Sequence, residues 1–147
     1  MSRSFRHVRA LSASPERVYA AWTDPARLAR WWGPKGFRNT NHVCEPVAGG
    51  RWDYTMHAPD GTDFLNKSVF VALEPGRRVV IDHLEPMHRF RVTATFAPKD
   101  GGTELVFVQE FEDEAEAARV AAFVVPANEQ NLDRLAAYVS GTGPAVR

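Results

Sequence analysis

His83 is the side chain in this sequence best placed to move a proton, because it continues the alternation Val79, Ile81, His83 and falls near the end of what reads as the inner face of a strand. With Asn131, Gln109 and Tyr54 it would make a small polar set in an apolar pocket, able to take a proton from an acidic carbon. The more ordinary reading, and the one favoured, is a strand-end histidine bonded to a loop. Asn128 and Asn131 stand where a plain core helix would carry leucine. Either they are boundary residues satisfied by backbone or water, which is preferred, or they point into a cavity that holds a polar group of a ligand. His83 and His88 flank Leu84-Glu85-Pro86-Met87, but a loop containing proline fixes no geometry and offers no third ligand, so no metal is expected. Asp53 and Asp82 fall on opposite registers, which argues against a paired-carboxylate mechanism. Cys44, the single cysteine, excludes an internal disulfide and reads as a buried small hydrophobe. No phosphate-binding glycine loop, HExxH, CxxC or nucleophile elbow is present, and Asn66-Lys67-Ser68 matches a glycosylation acceptor by chance.

The elements that must position these residues are well signalled. Ser14-Pro15 and Asp24-Pro25 each place a capping oxygen before a first-turn proline, so two short helices follow one another, the second stopping at Gly33-Pro34. Val18, Tyr19 and Trp22 form the apolar stripe of the first, and Leu28, Trp31 and Trp32 that of the second. From Phe37 to Phe111 short alternating runs predict an antiparallel meander covered on one face. Trp52, Tyr54 and Met56 share one side of their run and the polar residues the other. Phe90, Val92, Ala94 and Phe96 face inward against outward arginines and threonines, and Leu105, Phe107, Gln109 and Phe111 do the same. Between Phe64 and Leu73 both faces carry apolar residues, and Phe70 is taken as inward. Turn residues at Ala48-Gly49-Gly50, Pro59-Asp60-Gly61, Glu74-Pro75-Gly76 and Lys99-Asp100-Gly101-Gly102 separate the runs. An acidic start after Phe111 predicts a last helix, kinked at Pro126 and ending before Gly141.

At 147 residues the chain is most economically one domain, 1–147. Lys and Arg number 18 and Asp and Glu 18, so no net field draws nucleic acid or anionic lipid. With no signal peptide and no apolar stretch long enough to span a bilayer, a soluble cytoplasmic protein is expected, without membrane insertion.

The phrase from Ala13 to Pro34, then Gly49-Gly50-Arg51-Trp52, Leu73-Glu74-Pro75-Gly76-Arg77-Arg78-Val79-Val80, Gly101-Gly102-Thr103-Glu104-Leu105 and Asn131-Leu132-Asp133-Arg134-Leu135 resemble the heat-shock-protein-90 ATPase-activator-like branch of the START-like (SRPBCC, Bet v-like) helix-grip superfamily, nearly end to end. The resemblance implies an α+β fold of order β-α-α-β(6)-α, in which a curved antiparallel sheet grips the C-terminal helix around an apolar cavity. Relatives in the wider superfamily bind lipids, hormones or polyketides, and some catalyse aromatisation or cyclisation. In the eukaryotic activator a separate N-terminal domain accompanies this one. Here a domain of family size fills the chain, so function is expected elsewhere than in strong stimulation of that ATPase.

The leading expectation is a binding module for a hydrophobic or aromatic small molecule, with no cofactor. Its pocket would be framed by Trp31, Trp32, Trp52, Tyr54, Phe70, His83, Phe90, Phe107, Gln109, Asn128 and Asn131. The alternatives are a polyketide cyclase or hydrolase-like enzyme with His83 as acid or base, and a chaperone regulator or other protein-interaction module. Whether the void is open or filled by its own aromatics stays undecided at this point.

Overall fold

The computed structural model describes residues 3–140. Strand β1 (Ser4–Leu11) leads into helices α1 (Pro15–Thr23) and α2 (Pro25–Trp31). Six strands follow: β2 (Arg38–Cys44), β3 (Arg51–His57), β4 (Asp63–Glu74), β5 (Arg78–Glu85), β6 (Phe90–Lys99) and β7 (Gly102–Phe111). Helix α3 (Glu114–Val139) closes the order. Ser14 Oγ accepts from Arg17 N–H at 3.2 Å, and Asp24 Oδ1 accepts from the amides of Ala26 and Arg27 at 3.0 and 3.3 Å, so both helices start where their caps place them. Asp113 caps α3, with Glu114 and Glu116 in its first turn. Pro126 lies inside α3, which runs as one assigned helix of 26 residues to Val139.

All strand pairs are antiparallel, in the order β1-β7-β6-β5-β4-β3-β2. The sheet curves around α3, which packs on β1, β7 and the two short helices. This is an α+β helix-grip fold. The inward sets of β6 and β7 are as the alternation predicts: Val92, Ala94, Phe96, Leu105, Phe107 and Phe111 are all buried, whereas Arg89 and Arg91 are exposed. The register of β4 resolves the ambiguous run, because Asn66, Ser68 and Phe70 share the buried face and Leu65 is exposed. Irregular pairing with β5 between Phe70 and Ala72 then shifts the alternation, so Leu73 also packs against the core.

Two residues depart from the expected burial. Asp53, expected on the solvent side of β3, is buried and pairs with the Arg51 guanidinium. Cys44 is half-buried rather than buried: it ends β2 at the core's edge, where desolvation and the charges of Asp24 and Glu45 push its thiol up to about 11. A thiol held that high is a poor nucleophile near neutral pH.

Candidate functional site

The interior under the sheet is divided. One half is filled by aromatic rings from α1, α2, β3 and β4. Trp22 lies 4.8 Å from Trp31 and 5.7 Å from Trp32, Trp32 lies 5.3 Å from Trp52, and Trp52 stacks on Tyr54 at 4.1 Å. Trp31 spends its indole N–H on the Ala21 carbonyl at 2.9 Å. Trp31, Trp52 and Phe70 are therefore core residues that do not line the cavity, a correction to the expected pocket frame. Packing against one another removes more apolar surface than lining a void would.

The other half is open. A cavity of about 270 Å³ lies between the sheet and α3, near the small end of the range for ligand pockets, roughly 300–1,000 Å³. Trp32, Tyr54, His83, Phe90, Phe107, Gln109, Asn128 and Asn131 line it, all eight named by the sequence reading. That reading missed Asn66 on β4, the β5–β6 loop residues Pro86 and Met87, and Val120, Phe123 and Val124 on α3. The alternation of β4 carried a signal for Asn66, since it shares parity with Phe70. Burial of Asn66 beneath the sheet also makes it a poor glycosylation acceptor. At the rim stand two exposed apolar side chains, Met87 and Phe123, 76% and 68% accessible. No Lys, Arg, Asp or Glu lines the cavity.

The polar groups of the cavity are positioned from three directions. His83 stacks on Phe90 with ring centroids 4.5 Å apart. Its Nδ1 lies 2.8 Å from the His88 carbonyl oxygen and its Nε2 lies 2.9 Å from Asn66 Oδ1. The loop contact is the one the ordinary reading of this histidine expects, and the second places a protein oxygen at the other ring nitrogen as well; a neutral ring has one N–H and can donate to one of the two. Tyr54 Oη accepts from the Trp32 indole N–H at 3.2 Å, and burial raises its hydroxyl well above the ordinary phenol range. Asn131 Oδ1 accepts from Gly33 N–H at 3.0 Å, which ties α3 to the turn after α2. Asn128 Nδ2 donates to Gln109 Oε1 at 2.9 Å and meets His7 Nε2 at 3.4 Å. His7 Nδ1 in turn lies 2.6 Å from Glu129 Oε2. The sequence pattern gave no hint of His7 or Glu129, because their pairing joins β1 to a helix more than a hundred residues later.

Desolvation lowers the pKa of His83 below its ordinary value and outweighs the opposing pull of the His88 carbonyl. A base whose folded pKa is depressed loses stability as pH falls, because the unfolded chain takes up the proton first. The urea midpoint is accordingly expected to drop between about pH 7 and about pH 5, and to drop less in His83→Gln. An identical pH profile for the variant would show that His83 does not carry the effect.

A second depression, of about 220 Å³, is lined by Arg3, Arg89 and Arg91 against Asp82, Glu110 and Glu112. These charges cancel three against three, and Arg91 pairs with Asp82 at 2.7 Å, so the depression has no surplus charge to recruit a partner. Among the described residues no group of three or more His, Cys, Asp or Glu could hold a metal ion. No helix among them is long and apolar enough to cross a membrane.

The chain has many solved structural relatives. A protein of Chromobacterium violaceum is 31% identical, with 93% of this chain and 97% of that one covered and a TM-score of 0.82. A protein of Arthrobacter aurescens is 27% identical over 98% of this chain and 88% of its own, at a TM-score of 0.87. An AHSA1-like protein of Aeromonas hydrophila is 25% identical over 95% and 94%, at 0.76. No protein of curated function matches. The family model described as Activator of Hsp90 ATPase homolog 1-like protein matches residues 12–140.

Proposed function

The chain belongs to the Activator of Hsp90 ATPase homolog 1-like family, whose fold is that of a ligand-binding or interaction module, and from that premise we propose that it is a cytoplasmic binding protein for a small, largely apolar molecule held between the sheet and α3. The observation that carries the reading is the cavity itself. Its walls are aromatic and aliphatic, a few amide groups converge on it, and no charged side chain of Lys, Arg, Asp or Glu intrudes. The exposed Met87 and Phe123 give an apolar solute a greasy path inward. Catalysis through His83 is disfavoured because a protein oxygen lies within 2.9 Å of each of its ring nitrogens, where a substrate would have to approach.

The test uses N-phenyl-1-naphthylamine, a neutral probe whose fluorescence rises in apolar surroundings. Saturable enhancement by the purified chain is expected. Ala127→Trp, which puts a large ring at a cavity-lining position on α3, should weaken binding about tenfold or more, whereas Val125→Trp, on an exposed position away from the cavity, should leave it unchanged. Absence of saturable binding, or equal affinity in wild type and Ala127→Trp, would overturn the reading. Saturable stimulation of the chaperone ATPase by the same preparation, in the absence of probe binding, would favour the interaction module instead.

A further inference from the structure

We infer that the polar end of this cavity selects a neutral head group that accepts two hydrogen bonds and donates one, a hydroxyl or a carboxamide, carried on an apolar body. The inference rests on the binding reading above and adds the chemistry of the ligand. It starts at the surface, with Glu129. A carboxylate only accepts, so the 2.6 Å contact to its Oε2 requires that His7 carry its proton on Nδ1. Nε2 faces the Nδ2 group of Asn128 at 3.4 Å, and since that group can only donate, Nε2 is the acceptor of the pair. The second hydrogen of that group goes to Gln109 Oε1 at 2.9 Å. The Glu129–His7–Asn128–Gln109 chain thus has a fixed polarity. It leaves Asn128 Oδ1 and Gln109 Nε2 to the cavity that both residues line.

Asn131, three residues after Asn128 on the same face of α3, uses its Oδ1 on Gly33 N–H and leaves its Nδ2. These three side chains are only 6–8% exposed, and the three remaining groups take no hydrogen bond among the described residues. Buried amide groups are normally satisfied, and this set offers N–H donors from two residues beside one carbonyl acceptor.

Charge decides what can fill it. A carboxylate would give up its water with no lysine or arginine to meet it and would face Asn128 Oδ1. An ammonium would find one acceptor and two opposing N–H groups. A hydroxyl, with two lone pairs and one hydrogen, matches all three positions, as does a carboxamide through its carbonyl and one N–H.

Displacement of N-phenyl-1-naphthylamine from the full chain near neutral pH tests this with one body and four heads. 2-Naphthol and 2-naphthamide are expected to bind about tenfold or more tighter than 2-naphthoate and naphthalene. Equal displacement by all four would overturn the head-group inference while leaving the binding reading in place, and tighter binding of naphthoate would also overturn it. Failure of the probe itself to bind would remove both. Gln109→Glu gives a second readout. One oxygen of the new carboxylate keeps the bond from Asn128 while the other replaces a donor by an acceptor, so the naphthol preference over naphthalene should fall about tenfold and 2-naphthylmethylamine should gain, each affinity being read relative to the probe's own affinity for that variant. An unaltered ranking of heads in that variant would overturn the assignment of Gln109.

Discussion

Phe107→Asp is expected to cost roughly 4 kcal/mol or more, enough to unfold much of the population, while Val108→Asp stays within about 1 kcal/mol of wild type. Phe107 is 1% exposed, sits 6.2 Å from Trp22 and 6.1 Å from His7 by ring centroids, and borders a cavity that no lysine or arginine lines. Val108 points to the other face of β7 and is half-buried, directly across from Arg6 on β1, where an aspartate gains a cross-strand partner. Urea denaturation of the two variants checks the difference. Similar losses in both would mean that β7 does not present one dry face and one wet one.

The second large effect lies where α3 holds the end of α2. Asn131→Leu should destabilise the fold by roughly 1–3 kcal/mol, because Gly33 N–H loses its buried acceptor. Gly33 cannot readily compensate: its φ is +100°, and an added Cβ would come within 2.7 Å of Met56 Cε. Beside it the Arg134 guanidinium donates to the carbonyls of Trp32, Gly33 and Pro34 at 3.0–3.1 Å and of Arg30 at 3.3 Å, tying α3 to the end of α2 and the turn that follows it. Arg134→Met should cost roughly 2–3 kcal/mol. The double variant should lose less than the sum, since both side chains secure one segment. If Asn131→Leu unfolds at the wild-type midpoint, Gly33 is held by something other than that amide. The outcome separates the two readings of the asparagines: for Asn131 the structure supports a backbone partner and a face on the cavity together, because its oxygen and its nitrogen do different work.

Local chemistry was enough to read the elements and most of their faces. Ser14, Asp24 and the prolines after them specify helix starts through bonds that span only two or three residues, and period-two alternation assigns Phe90 to Phe96 and Leu105 to Phe111 inward without reference to any other strand. Strand alternation named Tyr54, His83, Phe90, Phe107 and Gln109, and helical spacing named Trp32, Asn128 and Asn131, because facing inward is a property of an element's own pattern. Depth is not such a property. Trp31 and Trp52 carry the same inward signal as Trp32 and Tyr54, yet only the meeting of α1, α2, β3 and β4 decides which rings pack against each other and which border a void. Polarity of the site is still less local. The orientation of Asn128 depends on a histidine 121 residues earlier, and that of Asn131 on an amide 98 residues away. An amide side chain offers a donor and an acceptor of nearly equal size, so its direction is set by whichever partners the fold brings to it.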